Sequence, residues 1–171
     1  MRLIQSQRGF TLIEIVVVIV VLGIMALMGS FGLERAMDGY NLARENSQIS
    51  QKAQNALDRL AIELSHIPFN GGRYAISALS NAGSLTYTAN FGLANEVHTI
   101  TQVNDQLMLD NLPLTDLVPG NGLQFTYLTA GGTVLGGGTD PALRIIQISL
   151  SLRGPTVNIT RTFDARVALQ S

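Results

Sequence analysis

Cysteine is missing from all 171 residues, which excludes disulfides and thiolate metal sites. Lysine occurs once, as Lys52, and 11 basic residues face 12 acidic ones for a net charge of -1. A chain so balanced lacks the broad positive field that grips nucleic acid or an anionic surface. Histidine occurs twice. Neither His66 nor His98 sits in a metal spacing such as HExxH or beside a nucleophile motif, so both read as structural. The glycine-rich run from Gly131 to Gly138 has no following lysine and opens no helix; it reads as a hairpin tip or loop, not a phosphate cradle. Asp105, Asp110, Asp116 and Asp140 are loop-placed oxygen donors without the compact pattern of a calcium site. No catalytic residue, metal ligand or cofactor is expected from this inventory.

What the chain does have is apolar residues, 46 % of the total, and they are unevenly spread. From Phe10 to Leu33 the sequence reads FTLIEIVVVIVVLGIMALMGSFGL, long enough as a helix to cross about 30 Å of hydrocarbon. Its fifteen Phe, Leu, Ile and Val residues, at roughly -0.3 to -0.6 kcal/mol each, outweigh about 3 kcal/mol for its one charge, Glu14. Arg2 and Arg8 precede the span, while the charges after it nearly cancel, so the N-terminus is expected in the cytoplasm and the remainder exported. A secretory signal has a shorter core and a better small-x-small site than Ala26, Gly29 and Ser30 provide. A plain anchor has no use for Glu14, because an ionisable group inside a membrane segment is costly enough to mark function.

Residues Arg8-Gly9-Phe10-Thr11-Leu12-Ile13-Glu14 resemble the prepilin-type signal of type IV pilins and type II secretion pseudopilins. In that family a short basic leader ends in Gly, the mature chain begins with Phe, and Glu is its fifth residue. The resemblance implies cleavage between Gly9 and Phe10 by an inner-membrane prepilin peptidase, N-methylation of Phe10, and a subunit registry role for Glu14. The physics agrees. Cleavage frees an ammonium at Phe10, and a buried ammonium and a buried carboxylate each cost several kcal/mol unless they meet. Four residues apart, Phe10 and Glu14 would share a helix face and could pair within one chain. Pairing across chains would set the stagger between subunits, since lipid offers no hydrophobic drive to choose one. Glycine at position 9 keeps the scissile peptide accessible and able to bend.

Beyond Leu33 helical spacing continues, with Ile49, Ala53, Ala56, Leu57, Leu60, Ala61, Leu64 and Ile67 on one stripe and Gln51, Lys52, Gln54, Asp58, Arg59 and Glu63 filling the rest. Pro68 and Asn70-Gly71-Gly72 predict a stop near Ile67. The period then changes to two. Short strands are expected over 84–91, 97–103, 106–109 and 123–129. The clearest pair alternates Ile146, Ile148, Leu150 and Leu152 on one strand with Val157, Ile159, Phe163, Ala165, Val167 and Leu169 on the next. The expected architecture is α+β and pilin-like: a long helix whose second half packs on an antiparallel sheet. Its expected parts are a cleaved leader (1–9), a transmembrane or filament-core helix (10–33), its amphipathic continuation (34–67) and a β-rich periplasmic head (68–171).

Major pilins commonly carry a proline near the exit of the membrane segment and a C-terminal disulfide loop, and this chain has neither. The pattern from Ala56 to Leu64, the run Gly122-Leu123-Gln124-Phe125-Thr126-Tyr127 and the terminal strand from Arg161 to Leu169 look like the W/J class of minor pilins and minor pseudopilins. The resemblance implies a minor subunit that primes assembly or forms part of a filament tip. Its implied partners are other pilins or pseudopilins, the prepilin peptidase and methyltransferase, and the inner-membrane assembly platform. Two other readings compete. One is an adhesin or DNA-uptake tip displayed by the filament; five head arginines opposed by six acids argue against DNA unless the arginines cluster. The other is a periplasmic enzyme on an ordinary tether, which predicts a pocket of converging titratable groups and an uncut N-terminus.

Overall fold

The computed structural model describes residues 10–77, 83–90, 95–155 and 159–170. The chain divides into two compact units, one ending at Ala43 and one from Arg44 onward. Among the described residues one helix, α1 (Leu12–Ser65), is followed by nine strands. They are β1 (Phe69–Asn70), β2 (Arg73–Tyr74), β3 (Ser84–Asn90), β4 (Asn95–Val103), β5 (Gln106–Leu109), β6 (Leu112–Thr115), β7 (Leu123–Leu128), β8 (Ile145–Arg153) and β9 (Thr160–Ala168).

The first unit holds the apolar part of α1. Every described side chain from Phe10 to Leu33 is exposed. Aliphatic side chains point outward all round the helix: Ile13 is 68 % exposed, Val17 53 %, Ile19 63 % and Leu22 59 %. A helix apolar on every side has no preferred core face, so it matches a membrane span or the inside of an assembly.

In the second unit the pattern becomes one-sided. Ile49, Ala53, Ala56, Leu57, Leu60, Leu64 and Ile67 are buried, the stripe expected from the spacing. The helix ends at Ser65, two residues before the predicted stop, because His66 and Ile67 donate to the carbonyls of Glu63 and Leu64, a tightened last turn. Glu63 departs from expectation. The alternation put it on the polar side, yet it is buried, with its charge met by Arg59 one turn earlier and its second oxygen by Tyr87.

Among the described residues the strands form antiparallel sheets, as expected: a β1-β2 pair, a four-stranded β3-β4-β5-β6 and a three-stranded β7-β8-β9. Both larger sheets feed one apolar core with the α1 stripe. Leu85, Tyr87, Ile100 and Leu107 come from the first, and Leu123, Phe125, Ile146, Ile148 and Leu150 from the second. Along β8 burial alternates strictly, as a strand with one covered face requires. β6 has no counterpart among the expected strands; Pro113 is tolerated in it because β6 is the sheet's edge, where a residue without an N–H fits. The turn into it is a two-residue link, Asp110-Asn111, with φ of 49° and 68°, the left-handed pair that hairpins favour. Of the predicted strand residues, Phe91 and Val157 lie outside the described residues.

Gln102, on β4, ties the sheets together. Its amide nitrogen lies 3.1, 3.2 and 2.7 Å from the carbonyls of Asn104, Val118 and Pro119, and its oxygen accepts from the Leu123 N–H at 3.2 Å. One side chain thus joins β4 to the first residue of β7. The glycine-rich run is likewise held to the head. Leu135 donates to the Tyr127 carbonyl at 2.8 Å, and a Cβ on Gly138 would come within 2.6 Å of Ile76.

Candidate functional site

The sequence singles out the start of α1, and the local geometry there is specific. The Thr11 carbonyl accepts from the Glu14 N–H at 3.1 Å and the Ile15 N–H at 3.3 Å, the first bonds of the helix. Thr11 is therefore the N-cap, Phe10 the residue before it, and Glu14 the third helical residue. Thr-x-x-Glu is the sequence of a capping box, in which the glutamate reaches back to the N-cap amide. Phe10 and Ile15 occupy the two positions of a hydrophobic staple. A carboxylate in the first turn also meets the positive end of the helix dipole, worth about 0.3–1 kcal/mol at an exposed site.

This corrects one step of the sequence argument. Phe10 precedes the helix, so in the uncut chain the four-residue spacing does not place it on the helical face of Glu14. Glu14 faces outward with the aliphatic residues around it, and no other Asp, Glu, Lys or Arg occurs between Phe10 and Leu33. Gly9, Arg2 and Arg8 lie outside the described residues. The Thr11 cap was legible from the sequence as Thr-x-x-Glu ahead of an apolar run.

Several polar groups of the head are engaged in local structure. Lys52 pairs with Asp116 at 2.6 Å, joining α1 to the segment after β6. Arg153 lies 3.9 Å from Asp105, and Asp140 accepts from the Ala142 N–H at 2.8 Å. Asp110 takes the Thr99 N–H at 2.7 Å and pairs with His98. Thus the four aspartates considered for calcium serve four separate places, and among the described residues no three His, Asp or Glu side chains converge as a metal site. His66 contacts the Ile62 carbonyl at 2.7 Å through Nδ1, closing the end of α1.

Arg59, Glu63, Tyr87, His98 and Asp110 form a cluster of titratable side chains. Burial, reinforced by the nearby Glu63 and Asp110 carboxylates, pushes the Tyr87 phenol above its ordinary range and keeps it a neutral donor to Glu63. A cavity of about 230 Å³ beside Arg59, Glu63, His98 and Asp110 opens toward the exposed Leu112. Its polar side chains are paired as Arg59 with Glu63 and His98 with Asp110.

A long apolar helix joined in one chain to antiparallel sheets is the α+β architecture of pilin-like proteins. Residues 4–30 match the prokaryotic N-terminal methylation motif, the signal read above from Gly9, Phe10 and Glu14. The motif supports a type IV pilin or pseudopilin subunit, one that assembles with other pilins after processing by the prepilin peptidase. Such a signal and an apolar N-terminal helix fit anchoring in the inner membrane, and they suggest a structural role over an enzymatic one. No curated protein and no solved structure matches the chain.

Proposed function

We propose that the protein is a minor subunit of a type IV pilus or a type II secretion pseudopilus, priming assembly or forming part of the tip. The supporting observation is the exposed all-round apolar helix with one ionisable residue in its first turn, inside a matched methylation motif. The leader, residues 1–9, is cut after Gly9, with Arg2 and Arg8 holding it on the cytoplasmic side. The head faces the periplasm. Phe10 then carries the new, methylated amine just outside the first turn, where a positive charge opposes the helix dipole. Glu14 offsets that charge, either in its own chain or across to the amine of a neighbour. Pairing with a neighbour fixes register, because the aliphatic surface alone permits many staggers. The absent cysteines and the lack of a proline near Phe31 support a minor over a major subunit.

Two measurements test this. Intact mass spectrometry of the membrane fraction is expected to find a chain that starts at methylated Phe10; a retained leader refutes the processing. Glu14→Gln keeps a side chain able to complete the capping box while removing the charge. It is expected to be inserted and processed normally but to drop out of purified filaments, and normal incorporation would defeat the registry role. Comparing it with Glu14→Ala separates loss of charge from loss of the cap.

A further inference from the structure

We propose that Asn70 is a site of spontaneous covalent modification, where the Gly71 nitrogen displaces the side-chain amide and leaves an aspartyl or isoaspartyl residue in the β1–β2 turn. The chain holds two Asn-Gly dipeptides, Asn70-Gly71 and Asn121-Gly122. Glycine after asparagine favours this reaction because no side chain hinders the attacking nitrogen. In sequence the two sites are equivalent, and the fold separates them.

Asn70 ends β1 opposite Arg73, with Gly71 and Gly72 between them as a two-residue turn at φ of 62° and 84°. All four residues are exposed. Neither the Gly71 N–H nor the Asn70 side chain makes a hydrogen bond among the described residues. A Cβ built on Gly71 would meet nothing within 4 Å, so a ring can close there and water can reach it. Asn121 is exposed too, but its glycine is not. The Gly122 N–H donates to the Pro119 carbonyl at 2.7 Å, and a Cβ on Gly122 would lie 2.7 Å from that same oxygen and 2.8 Å from a Val118 methyl. This nitrogen must break a bond and leave a packed turn before it can reach the Asn121 side chain.

The chemistry needs only water. The Gly71 nitrogen gives its proton to solvent and bonds to Cγ of Asn70; the Cγ–Nδ2 bond breaks, and the departing nitrogen takes up a proton and leaves as ammonia. A cyclic succinimide remains, and water opens it at one of two carbonyls. Cleaving the bond between nitrogen and Cγ restores the main chain and gives aspartate. Cleaving the bond between nitrogen and the backbone carbonyl carbon routes the chain through the side chain and gives isoaspartate. Nothing is oxidised or reduced. The two products act on the fold in opposite senses. Aspartate sets a carboxylate opposite Arg73, a cross-strand pair of unlike charge. Isoaspartate adds a carbon to the main chain of a two-residue turn, so the pairings of position 70 with Arg73 and of Phe69 with Tyr74 cannot both be kept. Those pairings position Tyr74, whose ring meets Phe69 edge-on at 5.0 Å and whose hydroxyl donates to the Leu169 carbonyl at 3.1 Å. Isoaspartate therefore loosens the hairpin from the end of β9. None of this depends on the proposed pilus or pseudopilus role.

The test is ageing of the full-length protein in detergent at mildly alkaline pH, followed by tryptic digestion and tandem mass spectrometry. The two sites fall on separate peptides, 60–73 and 74–144, and Asn70 carries the only side-chain amide of the first. That peptide is expected to gain about 1 Da at least about tenfold faster than Asn121 does, because Gly122 reacts only after local opening. In concentrated urea both turns are released, and the two rates should agree to within about twofold. Asn70→Ser should abolish the gain on the first peptide, and a protease that cuts before aspartate but not before isoaspartate divides the two products. Asn121 converting as fast as Asn70 in the folded protein, no conversion at Asn70, or a ratio unchanged by urea overturns the proposal.

Discussion

Replacing Gln102 by Ala tests whether the two larger sheets are fastened by the one amide described above. Three carbonyls surround its nitrogen, but an amide has two N–H donors, so with the Leu123 contact at most three bonds act at once. At about 0.5–1.5 kcal/mol each, and allowing for partial burial, their loss should cost about 2 kcal/mol. For a chain of this size that lowers Tm by about 4–8 °C. The assay is thermal unfolding of full-length protein in detergent, followed by near-ultraviolet circular dichroism, which reports on the packed tyrosines. Gln54→Ala, on the exposed side of α1, is the control and should move Tm by about 1 °C or less. Gln102→Glu should do at least as much harm as Ala, because it removes both donors and brings a carboxylate among carbonyl oxygens. A Gln102→Ala protein as stable as the Gln54→Ala control would show that water replaces the amide without loss and that the sheets are held by apolar packing alone.

Two further perturbations follow from the head. Tyr87 has a folded-state pKa above its unfolded value of 10.0, so its contribution is complete below that pH and is lost as pH rises beyond it. Denaturant titrations above pH 10 should therefore show wild type losing up to about 1.4 kcal/mol per pH unit relative to Tyr87→Phe, and parallel curves would refute the burial argument. Gly122→Ala would place a Cβ 2.7 Å from the Pro119 carbonyl oxygen and 2.8 Å from a Val118 methyl; it should cost about 1–3 kcal/mol, while Gly136→Ala, with open space around it, should cost far less in the same melt.

Much of this architecture was legible because periodicity reports which face is covered. The stripe from Ile49 to Ile67 and the alternation of β8 gave the helix face and the strand with no knowledge of their partners. Illegible features depend on partners distant in sequence. Glu63 looks like a solvated charge until Tyr87 and Arg59 are placed beside it, and Gln102 looks like any strand glutamine until the carbonyls of Val118 and Pro119 arrive. Pro113 in β6 is of the same kind: its penalty depends on whether a strand is central or at the edge, which is a property of the sheet. At the N-terminus the start of the helix was legible from the Thr-x-x-Glu pattern, which puts Phe10 before the cap and Glu14 in the first turn.

Pro113 also bears on encounters with other molecules. A bare strand edge invites backbone pairing with another chain. At the outer rim of the four-stranded sheet a ring nitrogen stands where an incoming backbone would seek a hydrogen, so zipper-like growth is discouraged on that flank. Neighbours that approach there must be recognised through side chains, a form of contact that sequence can tune and reverse.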